Sequence, residues 1–289
     1  MKLSIENCMM RERFGDEAAM RMIRDAGFDA VDYSFYWARS AREILGSGYR
    51  ERAARMRGVL DEIGLACNQA HAPFQLKRTG TLSMDCPEYA QVVRSMEYAS
   101  ILGASEIVVH AVGDANDPDF FEFNRDFYRG LTPYARAYGI RIAVENLFDW
   151  SEKGDRAIGK LATPYELNRL LDTLDPQWVA ACVDIGHAGL TAEEPEQYLA
   201  GMSADRLVAL HVQDGDYRHD LHTLPYLGQF NWDAIMDTLA RIGYTGDLTM
   251  EVFHYQGKFP RDLLPDALRL AAAVGRHLIR RFTDAAAHR

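Results

Sequence analysis

Eight times along this chain a short apolar run is followed by a longer amphipathic stretch, and that alternation restricts the fold more than any other feature. A strand, a crossover and a second parallel strand pack in one hand only, so repeated βα units give a parallel sheet flanked by helices. The strand-like runs are Lys2–Glu6, Ala30–Phe35, Leu65–Ala70, Glu106–Val112, Arg141–Glu145, Val179–Asp184, Leu207–His211 and Leu248–Glu251. Helices are predicted between and after them, over Asp16–Ala26, Tyr49–Ile63, Pro87–Leu102 and Asp119–Tyr138, with an interruption near Pro133. Four more follow, over Thr163–Leu174, Pro195–Met202, Asn231–Ile242 and about 263–282. Their starts carry recognisable signals: Pro87 suits a first helical turn, and Thr163-Pro-Tyr-Glu166 has the spacing of a capping box. Eight such units in 289 residues most simply close into one α/β domain, a (β/α)8 TIM barrel spanning 1–289, with the last helix covering the outside. An open doubly wound sheet is the competitor, but no GxGxxG follows the first strand and no P-loop is present.

The second half of the chain carries the chemistry. Strand five ends in Glu145-Asn146, strand six in Asp184-Ile-Gly-His187, strand seven in His211-Val-Gln-Asp214 and strand eight in Glu251. In a parallel barrel all strand carboxyl ends share one face, so Glu145, Asp184, His211 and Glu251 are expected to converge. Three carboxylates at one barrel mouth repel and raise one another's pKa unless a cation holds them. Three oxygen ligands and one imidazole suit a single divalent ion, Mn²⁺ first among them and Mg²⁺, Co²⁺ or Zn²⁺ as alternatives. A lone acid at a strand end is usually a helix cap and a lone histidine usually a core residue. Four consecutive strands ending in ligand-type residues are much harder to obtain by chance.

Composition narrows the class further. Apolar residues make up 48% of the chain, enough for a large core, and the net charge of −10 weighs against a nucleic-acid backbone as partner. Cys8, Cys67, Cys86 and Cys182 form no CxxC pair, so reduced thiols and a cytoplasmic location are expected. Met1–Asn7 reads as a first strand rather than a signal peptide, and no apolar run reaches membrane-spanning length.

The endings Val144-Glu145-Asn146, Val183-Asp184-Ile-Gly-His187, Leu210-His211-Val-Gln-Asp214 and Met250-Glu251-Val resemble the xylose isomerase-like TIM-barrel superfamily over almost the whole chain. The nearest likeness is to its sugar phosphate isomerase/epimerase branch, which includes ketose 3-epimerases, hydroxypyruvate isomerases and inosose dehydratase-like proteins. The resemblance implies that Glu145, Asp184, His211 and Glu251 bind one divalent metal and that His187 contacts substrate oxygen. It also implies that Glu145 and Glu251 move protons on opposite faces of a sugar carbon, so Glu145, Glu251 and His187 are the catalytic candidates. The expected reaction is isomerisation or epimerisation of a small sugar, keto-sugar or inositol derivative through a metal-stabilised enediolate.

Further substrate contacts are expected from His71, His110 and His222, and from Trp37 in the aromatic loop after strand two. Glu152 and Arg218 lie one residue beyond the positions where 3-epimerases carry a glutamate and an arginine. Three other functions are compatible with the same residues. One is a metal-dependent dehydratase or lyase on a keto-polyol. The second is an endonuclease IV-like zinc enzyme, whose ligand set His71, His110, Glu145, Asp184, His187, His211, Asp220, His222 and Glu251 resemble. The third is a non-catalytic barrel subunit. His219, His277 and His288 are read as surface residues, and His254 as a rim residue. Arg276, Arg280 and Arg281 are read as a solvated helix face, with contact to a second copy of the chain as the alternative.

Overall fold

Eight parallel strands curl into a barrel in a computed structural model that describes residues 1–37, 42–74, 76–78, 82–114, 116–151, 157–191 and 194–288. In chain order the strands are β1 (Leu3–Glu6), β2 (Ala30–Ser34), β3 (Ala66–His71), β4 (Glu106–Val109), β5 (Arg141–Glu145), β6 (Leu147–Trp150), β7 (Ala157–Lys160), β8 (Val179–Asp184), β9 (Leu207–His211) and β10 (Leu248–Met250). The barrel order is β10-β1-β2-β3-β4-β5-β8-β9. The last seam closes through the pair Val212 and Met250, with Val212 N donating to Thr249 O and Glu251 N to Val212 O. The predicted (β/α)8 architecture is therefore present.

Alternate strand positions divide the core. Ile107, Val109, Ile142, Val144 and Val183 pack outward against the helices, while Val108, Ala143, Cys182 and Ala209 form a separate small cluster. That alternation is the period of two that a barrel strand requires. The inner cluster comes from β4, β5, β8 and β9. On β1, β3 and β10 the buried positions include polar Ser4, Asn68, Gln69 and Thr249 instead.

Helix boundaries follow the predicted ones closely, with informative departures. The helix Phe120–Tyr138 runs unbroken through Pro133, and the last helix extends over Leu264–Ala287. Three short helices were not foreseen: Cys8–Phe14, Ile185–Leu190 and Phe253–Gly257. Each lies directly behind a barrel strand, too short to show a 3.6-residue period. The hairpin β6–β7 was also unforeseen, since its four-residue strands carry little alternation. No helix among the described residues is long and apolar enough to cross a membrane.

The last helix is clamped to the barrel floor. Gly275 lies so close to Leu3 that a Cβ there would meet Leu3 Cδ1 at 2.3 Å. Arg276 grips both Asp29 oxygens at 2.7 Å and donates to Gly27 O, and Asp29 also accepts from Leu3 N. Arg276 is thus a half-exposed tie to the barrel, whereas Arg281 pairs with Asp233 at the surface and Arg280 is exposed, as a solvated face requires.

The Arg276 hydrogen bonds hold the Asp29 carboxyl below the usual carboxylate range. A carboxyl whose folded pKa is depressed adds stability above its unfolded pKa, roughly 3.9, and loses it as pH falls through the folded value. Arg276→Leu should therefore lower unfolding free energy by about 1 kcal/mol at pH 7. The deficit should shrink as Asp29 protonates in acid. Urea titrations across pH would read both effects, and a deficit that does not change with pH would reject this linkage.

Candidate metal centre

Glu145, Asp184, His211 and Glu251, from the ends of β5, β8, β9 and β10, present ligand atoms that all lie within 4.8 Å of one another. None is more than 4% exposed. Backbone irregularity helps to aim them. A register shift between Ala181 and Cys182 leaves Val208 unpaired, a bulge that re-aims β9 just ahead of His211. Asp184 caps the helix Ile185–Leu190, its Oδ1 accepting from His187 N at 2.7 Å.

Burying three carboxylates around one imidazole drives the two glutamates apart. Burial alone would raise Glu145, but the His211 and His110 imidazoles beside it hold its carboxyl well below the usual carboxylate range. His211 Nδ1 lies 2.8 Å from Glu145 Oε1, and His110 Nε2 lies 2.7 Å from Glu145 Oε2. Glu251 goes the other way: burial, only partly opposed by His211, holds it well above the usual range. The negative Glu145 and Asp184 push it in the same direction. Burial pulls His110 down to about 4, so it is neutral at pH 7 and donates toward Glu145.

The donor set fits a divalent cation. Three buried carboxylates share one imidazole, and Glu145 Oε2 is buried without a well-aligned hydrogen-bond partner. Such an orphaned group is rare unless something absent satisfies it. Hard oxygen ligands with one nitrogen suit ions of the Mg²⁺, Mn²⁺ or Zn²⁺ type.

Behind these four side chains stands a supporting set that sequence reasoning did not assign. Asn146 Oδ1 accepts from Asp184 N at 2.7 Å, Asn146 Nδ2 donates to Asp184 O at 3.0 Å, and Asn146 O meets His187 Nδ1 at 2.9 Å. Gln213 Nε2 donates to both Asp184 oxygens at 3.1 Å and to Asp220 Oδ1 at 3.2 Å, while its Oε1 accepts from His222 N. Gln213 lies directly over Gly186, where a Cβ would sit 2.4 Å from Gln213 Cδ. The glycine of the Asp-x-Gly-His element is thus explained by close packing. Gly186→Ala should displace Gln213 and lower stability by about 1–3 kcal/mol in urea unfolding; an unchanged midpoint would show that Gln213 yields freely.

A second cluster flanks the first. His187, Asp220 and His222 also bring ligand atoms within 4.8 Å of one another. His222 Nε2 meets Asp220 Oδ2 at 3.0 Å and His187 Nε2 lies 3.8 Å from Asp220 Oδ1. Despite burial, which disfavours its charged form, Asp184 and Asp220 hold His187 well above the usual imidazole range. The loop carrying Asp220 and His222 is anchored by buried Asp214, which accepts from Gly215 N, Tyr226 N, Phe230 N and Trp232 Nε1. Tyr217, His222 and Tyr226 adopt positive φ of 64°, 39° and 74°, strain that such an anchored loop can sustain.

The remaining predicted contacts divide. His71 donates Nδ1–H to Ala72 O, and its Nε2 lies 3.1 Å from His110 Nε2 and 3.5 Å from Glu145 Oε2. His222 is buried and stacks under Phe253 with ring centroids 4.0 Å apart. Trp37 is 41% exposed beside Tyr36, whose ring stands 5.1 Å from that of His71. Phe148 of β6 packs edge-on against His187, an aromatic wall supplied by the hairpin. Arg218 is exposed and makes no ion pair among the described residues, so the structure does not bring it to the cluster. Glu152 lies outside the described residues. His219, His254, His277 and His288 are exposed, as expected.

Residues 20–278 match the family model described as xylose isomerase-like TIM barrel. The uncharacterized protein y4fM of Sinorhizobium fredii is 25% identical over 276 residues, covering 83% of each chain. Among solved structures, a D-tagatose 3-epimerase-like protein superposes with a TM-score of 0.75 at 18% identity, covering 98% of this chain and 99% of that one. The IolI protein, solved with a bound zinc atom, superposes with a TM-score of 0.78 at 14% identity and the same coverage.

Proposed function

The chain belongs to the xylose isomerase-like TIM-barrel family, and from the geometry of its barrel mouth we propose that it is a divalent-metal-dependent isomerase or epimerase of a small sugar, keto-sugar or inositol derivative. One observation carries this reading. Two glutamates from different strand ends flank His211 Nδ1, Glu145 Oε1 at 2.8 Å and Glu251 Oε2 at 3.5 Å, and in the metal-free site their acidities are pushed in opposite directions. Pairs of titratable groups driven apart by their surroundings mark acid and base roles. The name of the D-tagatose 3-epimerase-like neighbour supports the substrate class.

Glu145, Asp184, His211 and Glu251 would hold the ion, and when bound it supplies Lewis acidity for two adjacent oxygens of a hydroxy-ketone. Glu145 and Glu251 enter from β5 and just past β10, with β8 and β9 between them, so they reach a substrate from different sides. The ionised Glu145 accepts the proton from the carbon next to the carbonyl, and Glu251, which gives up its own proton when the cation binds, passes a solvent-derived proton to the other face. His187, held cationic by Asp184 and Asp220, donates to the oxygen on which negative charge develops. Phe148 and the aromatic groups around His71 exclude water and offer flat faces to sugar carbons.

The test is incubation of the Mn²⁺-loaded protein with ketoses, keto-inositols and their phosphates in deuterium oxide. Deuterium should appear at the carbon beside the carbonyl, with an epimer or aldose–ketose isomer as product. Loss of water from the substrate would point to the dehydratase instead, and no exchange with any member of the panel would reject both.

A second reading has a specific observation behind it. The clusters His71–Glu145–His211 and His187–Asp220–His222 adjoin the first, so the mouth has ligands for more than one ion, as phosphodiester hydrolysis employs. Three zinc ions per chain together with cleavage of abasic DNA would favour that reading. The net charge of −10 argues against it.

A further inference from the structure

Beneath the metal-ligand residues the barrel interior contains a continuous line of polar side chains, unusual where such barrels pack branched apolar residues. Ser4 Oγ donates to Asn68 Oδ1 at 2.7 Å, and Asn68 Nδ2 donates to Thr249 Oγ1 at 3.3 Å. Thr249 Oγ1 donates in turn to Gln69 Oε1 at 3.0 Å, and Gln69 Nε2 donates to Asp32 Oδ2 at 2.8 Å. Every link points the same way, and the line ends on a carboxylate. That oxygen lies 3.3 Å from His211 Nε2. Among the described residues His211 Nε2 has no other hydrogen-bond partner and Asp32 Oδ1 has none, and both residues are fully buried.

The strand geometry allows this line to exist. Adjacent residues of a regular strand point to opposite faces, so Asn68 and Gln69 could not both enter the interior. A register shift pairs Val31 with Cys67 and Asp32 with Gln69, leaving Asn68 unpaired in a bulge that brings both side chains into the line.

We propose that Asp32 is a positioning residue for the metal centre, held by Gln69 so that it takes the Nε2 proton of His211 in a hydrogen bond and keeps Nδ1, the nitrogen facing Glu145 and Glu251, free to ligate. The inference rests on the metal-centre reading above. Four donors aligned head to tail polarise one another toward the carboxylate, strengthening its grip on the imidazole. A histidine ligand whose far nitrogen is bound to a carboxylate is fixed in tautomer and ring orientation and is more basic. The contact gives the buried His211 Nε2, otherwise without a partner, a carboxylate acceptor.

The test is Mn²⁺ titration of the full chain, with the free ion followed by electron paramagnetic resonance and folding followed by urea unfolding. Asp32→Ala should weaken Mn²⁺ affinity by about 100-fold and Gln69→Leu by about 10-fold. Asp32→Asn, which keeps an acceptor but not the charge, should fall between wild type and Asp32→Ala. Because Gln69 acts through Asp32, the double variant Asp32→Ala/Gln69→Leu should bind no more weakly than Asp32→Ala alone. Wild-type affinity in Asp32→Ala, or in Asp32→Asn should the alanine variant not fold, would overturn the inference and leave the metal centre standing. Affinity losses that multiply in the double variant would also overturn it. A wild-type protein that takes up no Mn²⁺ would instead overturn the metal-centre reading, and this inference with it.

Discussion

Glu251→Gln is expected to lower proton exchange into a ketose on the order of 10³-fold while making the metal-free protein more stable. The first effect follows because general acid–base groups contribute roughly 10²–10⁴-fold, and this one is also a candidate ligand. The second follows from the direction of its perturbation. A carboxyl whose folded pKa is raised opposes folding once the unfolded chain ionises, above roughly pH 4.3, and the penalty grows until the folded group ionises too. Glutamine keeps the shape and removes that penalty, so a gain of about 1 kcal/mol at pH 7 is expected in the presence of chelator. Activity and stability should thus move in opposite directions, as at sites where function is maintained against folding. Deuterium incorporation and urea midpoints in chelator read the two effects separately. Full exchange activity would remove Glu251 from the chemistry, and a less stable metal-free variant would show that its carboxyl is not under strain.

Removal of the divalent ion is expected to have the other large effect. Chelation should abolish exchange and Mn²⁺ should restore it. At 100 times its dissociation constant a ligand that binds only the folded state adds about 2.7 kcal/mol, which for a chain of this size is roughly 5 °C in melting temperature. The affinity should also depend on pH with a defined sign. Burial keeps a proton on Glu251 in the metal-free protein, the charges around His211 outweigh burial and hold its imidazole well above the usual range, and binding must displace a proton from each. Affinity should therefore rise with pH, by up to about tenfold per unit for each displaced proton, and level off once both groups lose theirs unaided. A flat profile between pH 5 and 8 would mean that no protonated carboxyl stands in the ion's way.

The barrel and its ligand set were legible because both depend on patterns with a fixed period. Apolar runs separated by amphipathic stretches specify parallel strands, and strand carboxyl ends share one face, so Glu145, Asp184, His211 and Glu251 had to meet. What escaped reading depends on contacts between residues distant in sequence. Asp32 sits in an apolar strand with no local sign of the imidazole it faces, 179 positions further along the chain at His211. The signal was present only as a charge inside a buried run, together with two adjacent amides at Asn68 and Gln69. Gln213 and Asn146 lie inside the very motifs that marked the site, but the need for them emerges from Gly186 packing and from the Asp184 backbone. The hairpin β6–β7 and the short helix Phe253–Gly257 were missed because four or five residues hold no periodicity to read. Arg218 is expected only from the resemblance to 3-epimerases, one residue beyond their arginine, and it is exposed on a turn held by Asp216.

The central claim is that one divalent cation sits where β5, β8, β9 and β10 converge. Anomalous scattering from Mn²⁺-loaded crystals measures this directly. The expected result is a single strong peak at about 2 Å from oxygens of Glu145, Asp184 and Glu251 and from His211 Nδ1. A map with no peak there, or with its only peak between His187, Asp220 and His222, would contradict the account.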